Sequence, residues 1–193
     1  MNIGPFSYEE FIDKVKAFHG NVAPGIVAGG IMVDIARAHL PEGEFFDVIC
    51  ETDHCLPDAV QILTPCTIGN GWLKIVDTSR YALTFYNKYT GDGIRVHLDA
   101  VKLTGWPCIR AWFLKDKPKK EQKIQDILDE FREAGTSIYS RKKVKVQPSY
   151  LASIEKKSSG VAICPSCGEA YRTNLGTICP ACRGMSPFTF EEG

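Results

Sequence analysis

No surplus of either charge marks this chain: 23 Lys and Arg stand against 23 Asp and Glu, a formal net charge of zero. That balance removes the electrostatic footprint of a general nucleic-acid binder, while leaving room for a local basic patch. No run of about 18 apolar residues occurs, so no segment is expected to span a membrane. Met1-Asn2-Ile3-Gly4-Pro5 lacks the charged region and apolar stretch of a secretory signal. With only 17 Gly and 11 Pro, collagen-like and low-complexity classes are excluded, and a 44% hydrophobic content excludes disorder. No internal repeat is visible beyond two cysteine pairs. What is present is 193 residues and eight cysteines. The length suits one domain of about 140–160 residues with a small appendage. A chain that is not exported keeps its cysteines reduced, so the expected compartment is the cytoplasm. Paired thiols there hold metal more often than they form disulfides.

Ser7-Tyr8-Glu9-Glu10 has the form of a capping box, and Phe11, Ile12, Val15 and Phe18 recur behind it at helical spacing. This predicts an amphipathic helix over residues 8–18. Pro24 suits the first turn of a second helix carrying Ile26, Val27, Ile31, Met32, Ile35 and Leu40, which Pro41-Glu42-Gly43 should end. Gly25, Gly29 and Gly30 each cost that helix about 1 kcal/mol, and the expected return is close approach of another backbone element. Residues 45–52 read as a strand, 53–57 as a turn and 57–63 as a short helix. Strands follow at 72–76 and 81–86, then Thr90-Gly91-Asp92-Gly93 as hairpin chemistry and a return strand over 94–98. The middle of the chain thus reads as an antiparallel meander with helices packed on it. After a charged connector at Lys115–Lys120, residues 124–131 give a third amphipathic helix ending at Gly135, and 142–146 alternate as an exposed strand. The expected division is an α+β domain over 1–150, a linker over 151–160 and a cysteine-organised module over 161–193.

Cys164-Pro165-Ser166-Cys167 and Cys179-Pro180-Ala181-Cys182 form two C-P-x-C pairs. Each can fold as a knuckle aiming two thiolates at one metal, with Gly168 and Arg183-Gly184 following where left-handed backbone is wanted. Four tetrahedral thiolates are what structural zinc prefers, and they leave no open coordination position. Tyr171-Arg172-Thr173 and Leu175-Gly176-Thr177 fit two short strands of a zinc ribbon. The alternatives are an iron site of the same geometry or two redox pairs, though a thioredoxin-like motif needs a βαβ setting that this tail lacks.

The other cysteines differ. Cys50 and Cys108 read as small buried hydrophobes. Cys55 stands just ahead of the helix at Pro57, whose dipole should favour its thiolate, so it reads as a reactive or ligating thiol. Cys66 would face the same space from the far end of that helix. His39 and His97 read as structural.

Three runs, taken in order, resemble the FmdE family of formylmethanofuran dehydrogenase proteins. They are Phe18-His19-Gly20-Asn21-Val22-Ala23-Pro24-Gly25, Glu51-Thr52-Asp53-His54-Cys55-Leu56-Pro57-Asp58-Ala59-Val60-Gln61, and Cys66-Thr67-Ile68-Gly69-Asn70-Gly71. The resemblance continues through residues 81–87, the Thr90-Gly91 turn and Ile94-Arg95-Val96, and the C-terminal cysteine pairs also occur in many members. Members usually read Phe-His-Gly-His-x-Cys-Pro-Gly in the first run, where this chain has Asn21 and Ala23. The resemblance implies a second metal site built from that motif and the cysteine matching Cys55, of which His19 and Cys55 are kept. Such a site is weakened, rebuilt with Asp58 or Cys66, or reduced to a pocket. The resemblance further implies a homodimer and association with a molybdenum or tungsten oxidoreductase of C1 metabolism, in a component that does not carry the pterin.

The expected protein is therefore a cytoplasmic, zinc-containing accessory protein of this type, whose His19 and Cys55 share a cleft. Ile163, Leu175, Ile178, Phe188 and Phe190 should dock on the main domain or on a second copy. Two rival readings use other features. A nucleic-acid or protein adaptor would draw on Lys142, Lys143, Lys145, Lys156 and Lys157, against which zero net charge argues for nucleic acid. An enzyme would use Cys55 as nucleophile with His19 as base, but no orienting third residue is legible.

Overall fold

The computed structural model describes residues 1–40, 45–154 and 159–189. The chain divides into one unit over Met1–Leu151 and another from Ala152 onward. The elements of the first begin with a short antiparallel pair, β1 (Asn2–Ile3) and β2 (Phe6–Ser7). Helices α1 (Tyr8–His19) and α2 (Pro24–Arg37) follow, then β3 (Phe46–Cys50), α3 (Leu56–Leu63), β4 (Leu73–Ile75), β5 (Ala82–Asn87) and β6 (Asp92–Leu98). A 3₁₀ turn at Ala100–Gly105 leads to α4 (Pro107–Phe113), α5 (Ile124–Ala134), β7 (Tyr139–Lys145) and α6 (Pro148–Ile154). The second unit holds β8 (Val161–Ile163) and β9 (Ala170–Arg172).

The capping box is formed: Glu10 N–H donates to Ser7 Oγ at 3.2 Å, and Ser7 N–H donates to Glu10 Oε2 at 2.8 Å. Gly20 closes α1 in the left-handed region at φ +86°, its N–H bonding the Lys16 carbonyl, which leaves His19 as the last residue of the helix. Helix α2 stops at Arg37, ahead of the expected breaker. The Pro41–Gly43 signal lies outside the described residues, and the His39 imidazole bonds the Ile35 carbonyl at 2.7 Å as a structural cap.

Five strands form one sheet in the order β4-β3-β5-β6-β7. The expected meander holds for β3, β5, β6 and β7, which pair antiparallel. At the edge the sheet departs from it, because β4 pairs parallel to β3 with Val48 opposite Leu73. The cause is α3, a crossover element that carries the chain back to start β4 at the same end as β3. Val48, Cys50, Leu83, Phe85, Ile94, Val96 and Leu98 lie on the face covered by α2 and are buried. The other face carries Ile49, Glu51, Thr84, Arg95 and His97, and no helix among the described residues crosses its centre.

Nearly every residue of α2 is buried, and its glycines explain how. A Cβ on Gly29 would stand 2.7 Å from Ala59 Cβ and 3.0 Å from Leu56 Cδ1, and one on Gly25 would stand 2.8 Å from Cys55 Cβ. Gly25 and Gly29, one turn apart, therefore form the seam against α3. Gly30 meets Phe11 and Ile3 on the other flank, with a notional Cβ 2.7 Å from Phe11 Cζ.

On the open face the Arg95 guanidinium holds Glu51 with two bonds, Nε–Oε1 at 2.5 Å and Nη2–Oε2 at 3.0 Å. Arg80 Nε meets Glu51 Oε2 at 2.8 Å, and Thr78 Oγ donates to the same oxygen at 3.2 Å. Burial pushes the Glu51 carboxyl up, and the Arg95 bonds, with Arg80 and Thr78, more than reverse it, holding it below the ordinary carboxylate range.

In the second unit β8 and β9 pair antiparallel, Ala162 opposite Tyr171. The ribbon strand expected at 175–177 is absent, because Thr173–Leu175 is a 3₁₀ turn; the partner of β9 precedes the first cysteine pair. The segment expected as a linker begins inside α6, and its residues 155–158 lie outside the described residues, as does Phe190.

Gly29→Val is expected to lower the stability of the first unit by about 2 kcal/mol through overpacking, and Ala59→Gly in the same chain to recover part of it, both read from urea midpoints. Because Glu51 has a lowered folded pKa, its contribution is complete above the ordinary Glu value near ~4.3 and is lost as pH falls through the folded one. Glu51→Gln should therefore flatten the acid-side fall in unfolding free energy; an unchanged slope contradicts the ion-pair assignment.

Candidate metal centres

The first knuckle is the turn between β8 and β9. Cys164 N–H bonds the Glu169 carbonyl at 2.8 Å, and Gly168 N–H bonds the Cys164 carbonyl at 2.9 Å with Gly168 at φ +77°. The second is a 3₁₀ turn, Ala181–Arg183, closed by Gly184 at φ +92°. The four sulfurs of Cys164, Cys167, Cys179 and Cys182 all lie within 4.8 Å of one another. Cys167 Sγ and Cys179 Sγ are 3.8 Å apart. A tetrahedron with bonds of about 2.3 Å has edges of about 3.8 Å, so the donor set has the size a metal ion requires. Backbone amides already face the sulfurs: Cys179 N–H points at Cys164 Sγ at 3.5 Å, and Cys182 N–H at Cys179 Sγ at 3.4 Å. The Cys179 amide, with others, lowers the Cys164 thiol to about 6, whereas the neighbouring Cys179 and Cys167 sulfurs push Cys182 up to about 12. Four sulfurs this close cannot all be anionic unless a cation sits among them. All eight cysteines are free thiols.

The second candidate gathers around the N-terminus of α3. Cys55 is the N-cap residue, at φ +55° and ψ −45°, a conformation that costs a non-glycine residue about 1–3 kcal/mol. It is held there by Gly25, which lies against its side chain, and by Tyr81, whose hydroxyl donates to the Gly25 carbonyl. Tyr81 is in turn packed edge-on by Trp112 and Phe113. Asp58 is three residues beyond Cys55, the spacing at which N-cap and N3 side chains are neighbours. Its carboxylate reaches across to α1, where His19 Nδ1 meets Asp58 Oδ2 at 2.7 Å. A carboxylate only accepts, so Nδ1 carries the proton, and a neutral ring keeps its lone pair on Nε2.

His19 and Cys55 thus approach the same helix turn, with Asp58 as the link between them. The amino-acid sequence points to Asp58 only as a substitute ligand. Its N3 spacing from Cys55 is a local signal, whereas its pairing with a residue 39 positions away has none. Two expectations are corrected. Burial, with the Asp58 charge, raises the Cys55 thiol despite the opposing Lys119, so the helix dipole does not leave a thiolate in the metal-free chain. Cys66 does not face this space: it is fully buried at the far end of α3, with Sγ 3.5 Å from the Phe46 carbonyl. Among the described residues the four-cysteine set is the one group of three or more such donors within mutual reach, and His19, Asp58 and Cys55 do not form another. Asp58 supplies the orienting group that a Cys55 nucleophile would need, but the raised thiol tells against that chemistry.

Residues 18–146 match the family described as FmdE, molybdenum formylmethanofuran dehydrogenase operon, and residues 155–189 match the FmdE treble clef zinc finger. The treble clef is the more specific description of the cysteine module. A probable S-adenosyl-L-methionine-binding protein of Archaeoglobus fulgidus is 30% identical over 194 residues, covering 89% of this chain and 52% of that protein. The chain therefore spans about half the length of the curated relative it matches. The crystal structure of an FmdE-like protein of tungsten formylmethanofuran dehydrogenase, from Syntrophus aciditrophicus, is 48% identical, with a TM-score of 0.87 over 97% of this chain and 98% of that one.

A module this small buries too little apolar surface to fold without its ion. A strong chelator under reducing conditions should open residues 161–189 to protease while a fragment close to Met1–Leu151 survives, as judged by mass spectrometry. Cys179→Ser should produce the same digest without chelator.

Proposed function

The chain belongs to the FmdE family, and from that premise we propose that it is a cytoplasmic metal-binding accessory protein of formylmethanofuran dehydrogenase-type C1 metabolism. The observation that carries the metal part is the four-sulfur cluster of tetrahedral size in a treble clef zinc finger. Zinc is the ion that this donor set suits, since four thiolates with no open position make a structural rather than a catalytic site. The accessory role rests on the family and on the tungsten-associated relative. Eight free thiols favour a reducing compartment.

The second centre is a degenerate site. Asn21 and Ala23 supply no good ligand, which leaves His19 Nε2 and Cys55 Sγ as donors, with Asp58 orienting the imidazole through Nδ1. A carboxylate in that position raises ligand basicity and fixes the ring, and its loss costs about 10–100-fold in metal affinity. Two protein donors hold an ion weakly, so this site binds less tightly than the cysteine cluster. For assembly we favour a homodimer, supported by the exposure of Val161, Ile163 and Met185 on the small cysteine unit.

Elemental analysis of the purified full chain should find one zinc per chain that survives dialysis and is lost in Cys179→Ser. Titration with added zinc should find a second, weaker equivalent that needs His19 and Cys55. Asp58→Ala should weaken that equivalent about 10–100-fold and leave the tight zinc in place. A chain that holds no tight metal when grown with ample zinc contradicts the reading.

A further inference from the structure

The metal centres leave three motif residues unused. Glu51 opens the second FmdE-like run, Thr84 lies within residues 81–87, and Arg95 belongs to Ile94-Arg95-Val96. They stand far apart in sequence, yet the register sets them side by side: Thr84 pairs with Ile49 on β3 and with Arg95 on β6, and Glu51 bonds Arg95. Together they floor a trough of 530 Å³ on the open face of the sheet. That volume lies in the range of small-molecule sites, about 300–1,000 Å³. Ile49 and Val76 wall one side and Val144 and Tyr150 the other, which gives the trough an apolar body.

Its polar groups are placed for an anion. Three cationic side chains, Arg80, Arg95 and Lys145, line it against the single carboxylate of Glu51, which Arg95 and Arg80 already neutralise. Arg80 engages Glu51 and Thr78 through Nε, and its terminal nitrogens make no hydrogen bond among the described residues. Thr84 is the second observation. It is only 6% exposed at the centre of the sheet and lines the trough, yet its hydroxyl has no hydrogen-bond partner among the described residues. A hydroxyl buried to that degree is normally satisfied, so its open valence points to something that enters from the trough.

We propose that the open sheet face binds a small organic anion with an apolar body, its charged group taken by the free fork of Arg80 and the Thr84 hydroxyl and its body lying between Ile49 and Val144. An arginine fork grips a carboxylate, sulfonate or phosphate through two parallel bonds, which suits an acidic headgroup over a neutral one. The Glu51–Arg95 pair is the rigid floor rather than the anion receptor, since its bonds are already made. The site is independent of both metal centres.

The test uses the full chain and the aromatic sulfonate 1-anilinonaphthalene-8-sulfonate, followed by fluorescence. One saturable site is expected. Val144→Trp, which fills the trough, and Arg80→Gln, which removes the fork, should each weaken binding by about 10-fold, or about 1.4 kcal/mol. Thr84→Val should weaken it by a smaller factor. Phenylpropionate should displace the probe, and its uncharged amide should not. Variants are compared only where their urea midpoints match the parent. No saturable binding, unchanged binding in Val144→Trp, or equal competition by acid and amide overturns the proposal. So does a halving of the solution mass in Val144→Trp, which would assign the face to a second copy of the chain.

Discussion

The approach of α3 to α2 through Gly25 and Gly29 is the constraint on which the other features of the first unit rest. Any side chain larger than hydrogen at these positions would collide with Cys55 or Ala59 at less than 3 Å. The seam forgoes helix propensity, about 1 kcal/mol per glycine, and gains close helix packing over a buried face. It fixes where α3 begins, and therefore where Cys55 sits. It also fixes the return path that lays β4 parallel to β3 at the sheet edge.

The same seam explains the character of the site at the head of α3. Cys55 occupies a strained backbone position against Gly25, half-buried, with the Tyr81 hydroxyl tied to the neighbouring carbonyl. Desolvation there outweighs the helix dipole, so the metal-free thiol is protonated. Asp58 turns toward α1 rather than back to its own helix cap, and the imidazole of His19 is held by a group on α3. An arrangement of one oriented imidazole and one protonated thiol is a weaker metal site than the cysteine cluster. In the cluster four sulfurs and several amides already converge on one point.

The sheet separates two kinds of chemistry. Its covered face is aliphatic and aromatic, built by alternate residues of β3, β5 and β6. Its open face concentrates charge in one network, Glu51 with Arg95 and Arg80, partly buried and tightly bonded. Ion pairs on a half-exposed sheet contribute modest stability, and their greater effect is to fix the positions of long side chains. Arg80 and Thr84 are left with unused hydrogen-bonding capacity beside an aliphatic trough.

The capping box at Ser7 and Glu10, the burial of α2 and the reason for its glycines, the hairpin at Thr90–Gly93 and the four-cysteine cluster were all legible in the amino-acid sequence. Each depends on residues within a few positions of one another, where helical period, cap spacing or a C-P-x-C knuckle carries the information. Tertiary structure alone decided the parallel edge strand, the protonation of Cys55, the diversion of Cys66 into the core and the pairing of His19 with Asp58. It also decided the meeting of Glu51, Thr84 and Arg95 on one face. These depend on contacts across tens of residues and on how much water the packed chain excludes, and no local pattern encodes either.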